Sequence, residues 1–88
     1  MTYLLDISKA PDKNFRKLAK KDRTQHLLVL GKIQQILEDP YRFKPLKKPM
    51  AGQRGAHIGS FVLTYEIDEN NKIVKVLDYD HHDKIYKA

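Results

Sequence analysis

Three of the four histidines in this chain, His57, His81 and His82, fall in its second half with Tyr86 and the cations Lys44, Lys47, Lys48 and Arg54. Imidazole titrates near neutrality, so two convergent histidines can take up and release protons within one reaction. Lysine and arginine hold phosphoryl charge, and a tyrosine can stack on a base or donate a hydrogen bond. Together these groups suit attack by an RNA 2′-hydroxyl on its own 3′-phosphate, which needs a base, an acid and cations. His57 and one of the neighbouring pair His81 and His82 are the candidate acid–base groups, with their order open, and Tyr86 is the expected aromatic contact. Lys44, Lys47, Lys48, Arg54 and His81 are expected to touch phosphate.

Each residue has a plainer use. An isolated histidine such as His57 ordinarily sits at a surface, the lysines could simply be solvated, and Tyr86 could pin the chain end to a sheet. His81 and His82 are neighbours, so in extended chain only one of them can share a face with His57. Asp78, Asp80 and Asp83 flank the pair, but their spacing matches no familiar metal motif. No metal or other cofactor is expected.

The elements that position these groups are readable from periodicity. Tyr3–Ile7 is short, apolar and rich in strand formers. Ser8 is a suitable helix N-cap, Pro11 fits a first turn, and Phe15, Leu18 and Ala19 make one apolar face. Asp22 with Gln25 resembles a capping box that starts a second helix. There Leu27, Leu30, Ile33 and Leu37, with Val29 and Ile36 beside them, form a broad apolar stripe. Gly31 interrupts it at a cost of about 1 kcal/mol unless close packing explains it, and Asp39-Pro40 ends the helix. Residues 41–55 read as a loop. Strands at Ala56–Ile58, Phe61–Asp68 and Ile73–Tyr79 follow, with Asp68-Glu69-Asn70-Asn71 as the turn, since Asn and Asp tolerate positive φ. Alternation puts Phe61, Leu63, Tyr65 and Ile67 on one face of the middle strand. The expectation is an α+β fold of order β-α-α-β-β-β, a two-helix hairpin on one face of a small, mostly antiparallel sheet, the other face open.

The 88 residues suffice for one domain, 1–88, and leave a small core. The formal charge of +6 favours an anionic partner. Its distribution has direction: seven Lys/Arg against two Asp from Lys9 to Arg23, and four against none from Lys44 to Arg54. With no cysteine there is neither a disulfide framework nor a thiolate zinc site. Nothing resembles a signal peptide, and no apolar run nears the roughly 18 residues of a membrane span, so a cytoplasmic protein with no membrane partner is expected.

The run PLKKPMAGQRGAHIGSFVLTYEIDENNKIVKVLDYDHHDKIYK resembles the RelE/ParE toxin superfamily of type II toxin–antitoxin modules. The matching motifs are Pro45-Leu46, Ala56-His57-Ile58, the strand from Ser60 to Ile67, and His81-His82-Asp83-Lys84-Ile85-Tyr86. Their order and spacing, after a strand and a two-helix hairpin, carry the likeness over nearly the whole chain. The details are similar to the YafQ-type branch of RelE-like ribonucleases: His57 matches its Ala-His histidine, and His82 with Tyr86 its terminal pair. The chain departs at Val62 and His82, where many relatives carry arginine, at Lys44, where that branch has histidine, and at Gly55 and Ser60, where it has aspartate.

What the resemblance implies is a toxin that enters the ribosomal A site and cleaves the mRNA codon without metal. It implies a cognate antitoxin as partner, and contact with operator DNA only through that antitoxin. Two other readings share the fold: a ParE-like gyrase inhibitor, which generally lacks the His57, His82 and Tyr86 set, and a catalytically degenerate member that pairs with an antitoxin at DNA.

Overall fold

The computed structural model describes residues 3–86. Its elements are β1 (Leu4–Ile7), α1 (Lys9–Lys21), α2 (Arg23–Glu38), β2 (Lys44–Pro45), β3 (Arg54–Ile58), β4 (Phe61–Asp68), β5 (Ile73–His81) and α3 (His82–Ile85). The strands form a five-stranded sheet in the order β1-β5-β4-β3-β2. β1 runs parallel to β5, and every other pairing is antiparallel. The expected α+β architecture is therefore present, with two additions. The short strand β2 lies inside the expected loop and pairs Lys44 with Gly55, and a single helical turn, α3, follows the last strand. β5 also runs past Tyr79, because His81 still pairs with Phe61.

Helix α2 starts where Asp22 caps it, its Oδ1 accepting from the Gln25 backbone N–H at 3.1 Å. The Gln25 side chain does not reach back to complete a capping box. It donates instead to the Tyr79 hydroxyl at 2.8 Å, tying the helix to the sheet. Val29, Ile33 and Ile36 are the buried face of α2. The expected stripe is narrower than its sequence: Val29, Ile33, Ile36 and Leu37 meet the core, while Leu27 and Leu30 are 66% and 47% exposed. The sheet takes the β-branched residues, whose stripe continues the line from Gln25. Gly31 gains nothing from close packing, since a Cβ there would meet nothing within 4 Å.

The core lies between the helices and one sheet face, where Phe15, Val29, Ile33 and Ile36 meet Ala56, Ile58, Leu63, Tyr65, Val74, Val76 and Tyr79. Phe61 and Ile67 pack against it, as their alternation requires. Tyr65 is fully buried and donates through its hydroxyl to the Pro40 carbonyl at 2.6 Å, anchoring the end of α2. Burial pushes the Tyr65 phenol up to about 12 against the pull of Arg54. At the β4–β5 turn the positive φ falls on Lys72 (56°), beyond the expected Asp-Glu-Asn-Asn quartet. Asp68 organises the turn by accepting from the backbone and side chain of Asn71, bonds that hold its carboxyl below its ordinary value.

The opposite sheet face is not as open as its sequence suggests. Val62 and Thr64 are buried, yet Val62 stands outside the main core cluster. Leu46, Tyr86 and Val62 converge around Gly55 on this face, so α3 and the segment after β2 roof part of it. That roof forms the walls of the site.

Candidate functional site

Strand β3 presents His57 to the second face, opposite Val62 in the register with β4. β2 and the segment after it carry Lys44, Lys47 and Lys48 along one side, all exposed. α3 delivers Tyr86 to the other side, where the Tyr86 backbone N–H closes the helical turn on the His82 carbonyl at 3.0 Å. These elements enclose a groove of about 600 Å³ lined by the three lysines, His57 and Tyr86 over Leu46, Met50 and Ile85. The His57 and Tyr86 rings lie 6.1 Å apart, centroid to centroid, tilted by 40°. None of the lining residues is acidic, so the groove has the potential and the shape to take a phosphate with an adjoining base.

His82 sits at the turn into α3, held by its backbone N–H to the Ser60 carbonyl at 2.9 Å. Its ring stacks on His81 at 4.7 Å, and its Nδ1 lies 2.9 Å from Asp83 Oδ1. The structure thus groups His57 with Tyr86 and the lysines, and His82 with His81 and Asp83; His82 is not among the groove-lining residues. His81 packs edge-on against Phe61 at 5.8 Å, and its Nδ1 accepts from the Asp83 backbone N–H at 3.2 Å. This follows from alternation: His81 takes the helix-facing side at the end of β5, and the chain then turns.

Arg54 also lies outside the groove lining. It is one residue out of phase with Gly55 and His57, so its side chain turns the other way. The guanidinium donates to the Phe43 carbonyl at 2.7 Å and the Tyr41 carbonyl at 3.3 Å, and lies over the Tyr41 ring at 5.2 Å. Asp78 and Asp80 accept from the backbone N–H groups of Tyr79 and His81 next to them.

A second hollow of about 330 Å³ adjoins the first and shares Met50 and Ile85 with it. Gln53, Thr64, Asp78 and Lys84 give it a polar lining. Sequence reading noted Asp78 only beside the histidine pair, and it missed Gln53, Thr64 and Lys84 as site residues and Met50 and Ile85 as a shared apolar wall. The alternation of β4 already placed Thr64 on this face, and that was the available signal.

The family model described as the ParE toxin of the type II toxin–antitoxin system parDE matches residues 5–86. A Methanosarcina mazei protein of uncharacterized function is 48% identical over 85 residues, covering 96% of this chain and 99% of that protein. A Methanocaldococcus jannaschii protein provisionally named toxin RelE4 is 41% identical over 86 residues, 97% of this chain and 92% of that one. Among solved structures, the toxin–antitoxin complex RelBE2 of Mycobacterium tuberculosis contains a chain that superimposes with a TM-score of 0.77 at 26% identity, covering 93% of this chain and 100% of that one.

Proposed function

Because this chain belongs to the ParE toxin family of type II toxin–antitoxin systems, within the RelE/ParE superfamily, we propose that it is a ribosome-dependent mRNA endoribonuclease. The observation that carries this reading is the facing of His57 and Tyr86 across a carboxylate-free groove bearing three lysines. In the reaction, the 2′-hydroxyl loses its proton to a base and its oxygen bonds to the adjacent phosphorus. The P–O5′ bond breaks, and an acid protonates the leaving 5′-oxygen, giving a 2′,3′-cyclic phosphate and a 5′-hydroxyl end. His57 is assigned one proton transfer, and His82, on the turn into α3 that carries Tyr86, the other. Lys44, Lys47 and Lys48 stabilise the phosphoryl charge, and Tyr86 stacks on the neighbouring base.

The protein would act in the cytoplasm, on mRNA in the ribosomal A site, and be silenced by an antitoxin that links it to operator DNA. Wild type and the His57→Ala, His82→Ala double variant, compared in a translation extract with mRNA ends mapped, test the assignment. Cleavage by wild type alone is expected; equal cleavage by both, or by neither, rejects it. The matching family model is described as a ParE toxin, and the further reading that a ParE-like member brings is inhibition of DNA gyrase. A supercoiling assay with the purified chain separates the two.

A further inference from the structure

The grouping of His81, His82 and Asp83 apart from the groove has a chemical consequence of its own. Each offers a ligand atom, and these atoms lie within 4.8 Å of one another. The Asp83 carboxylate is 2.9 Å from His82 Nδ1 and 3.5 Å from His81 Nδ1. A tetrahedral zinc ion, with bonds near 2.1 Å, holds its ligand atoms about 3.4 Å apart. The two carboxylate oxygens stand on either side of that spacing, Oδ1 at 2.9 Å from His82 and Oδ2 at 3.5 Å from His81, and the three ligand atoms, all within 4.8 Å, close on an ion by small side-chain rotations. His81 Nδ1 accepts the Asp83 backbone N–H at a long 3.2 Å, so this nitrogen is unprotonated and becomes a ligand once that contact is exchanged for the ion. His82 and Asp83 are exposed, which leaves a fourth position to water.

We infer that His81, His82 and Asp83 form a site for a borderline divalent transition-metal ion, zinc being the probe, and that its occupation removes His82 from proton transfer. Two imidazoles with one carboxylate select such an ion over magnesium, which prefers an all-oxygen octahedral shell. Metal displaces the long contact from the Asp83 backbone N–H to His81 and the contact between His82 and Asp83, and puts coordinate bonds in their place. The ion is inhibitory, so it is compatible with metal-independent cleavage. That consequence for cleavage rests on the nuclease reading; the site itself does not.

Calorimetric titration of the full-length chain with zinc chloride, with magnesium chloride as control, tests the site directly. One zinc per chain is expected, with the His81 and His82 imidazole resonances perturbed and magnesium silent. His81→Ala and Asp83→Ala each lose a direct ligand, so each should weaken binding by more than the roughly tenfold cost typical of an outer-shell loss. No zinc binding, or binding unchanged in both variants, overturns the site. In the translation extract, zinc should suppress cleavage by wild type and spare the Asp83→Ala variant, and equal suppression overturns the inhibitory role. If wild type cleaves nothing even without zinc, the nuclease reading fails while calorimetry still judges the site.

Discussion

The Tyr86 hydroxyl rests against Gly55: a Cβ built on that glycine would stand 3.2 Å from the hydroxyl oxygen and 3.2 Å from Leu46 Cδ2. Two sides of the groove thus meet over a residue without a side chain. Gly55→Ala forces one neighbour to yield by a few tenths of an ångström, and Tyr86, 41% exposed, is freer to move than the half-buried Leu46 between Pro45 and Pro49. The variant should keep its melting temperature within a few degrees yet lose cleavage several-fold, since a misplacement near 1 Å can cost on the order of a hundredfold. Cleavage in the translation extract, beside thermal unfolding, checks this. An unchanged rate would detach Tyr86 from the reaction.

Tyr65 occupies a position of the superfamily motif, but its hydroxyl is committed to the Pro40 carbonyl. Tyr65→Phe leaves that carbonyl without its donor and should cost about 1–2 kcal/mol at neutral pH. The phenol is neutral in the folded chain up to about 12, while in the unfolded chain it ionises near 10. Its contribution is therefore complete below pH 10 and declines as pH rises from 10 towards 12, by at most about 3 kcal/mol. Thermal unfolding at stepped alkaline pH should show wild type and Tyr65→Phe converging. Tyr79, also raised by burial, will leave the variant some alkaline decline of its own.

Gly31 lies on the exposed side of α2 with nothing near its missing side chain. Gly31→Ala should raise stability by about 1 kcal/mol, equivalent to roughly 4–8 °C in melting temperature for a domain of this size. A loss of stability would mean that α2 bends at this point. Because Leu27 and Leu30 flank it on the same exposed surface, antitoxin affinity measured on the same variant reports separately whether that surface is in use.

What could be read from sequence follows the range of the interactions involved. The Asp22 cap, the Asp68–Asn71 turn and the alternation through β4 are local, and each appears in the fold as expected in kind. The parallel pairing of β1 with β5 joins residues far apart in the chain, and no local pattern announces it. Which part of the broad α2 stripe turns inward depended on the surface it meets: Val29, Ile33 and Ile36 face the sheet while Leu27 and Leu30 stay exposed. Arg54 looked like part of a basic run, but one residue of strand phase turns it away from Lys44, Lys47 and Lys48. Met50 and Ile85 join the site only because a loop and a terminal turn are folded together, which spacing alone does not encode.

That difference between Arg54 and the lysines can be measured. Each lysine that neutralises a phosphate releases counterions, so single-strand affinity falls with log salt at a slope near 0.7 per contact. Replacing Lys44, Lys47 or Lys48 by Ala should therefore flatten the salt dependence of binding to a short single-stranded RNA by about 0.7 for each lysine engaged. Melting temperature should hardly move, because all three are exposed. Arg54→Ala should do the reverse. Its guanidinium ties down the Tyr41 and Phe43 carbonyls, so the variant should lose about 1–2 kcal/mol of stability while the salt slope stays put. Fluorescence anisotropy across a salt series, with unfolding curves on the same preparations, resolves both. If Arg54→Ala flattened the slope as much as a lysine variant does, the guanidinium would have to leave the carbonyls for phosphate when RNA binds.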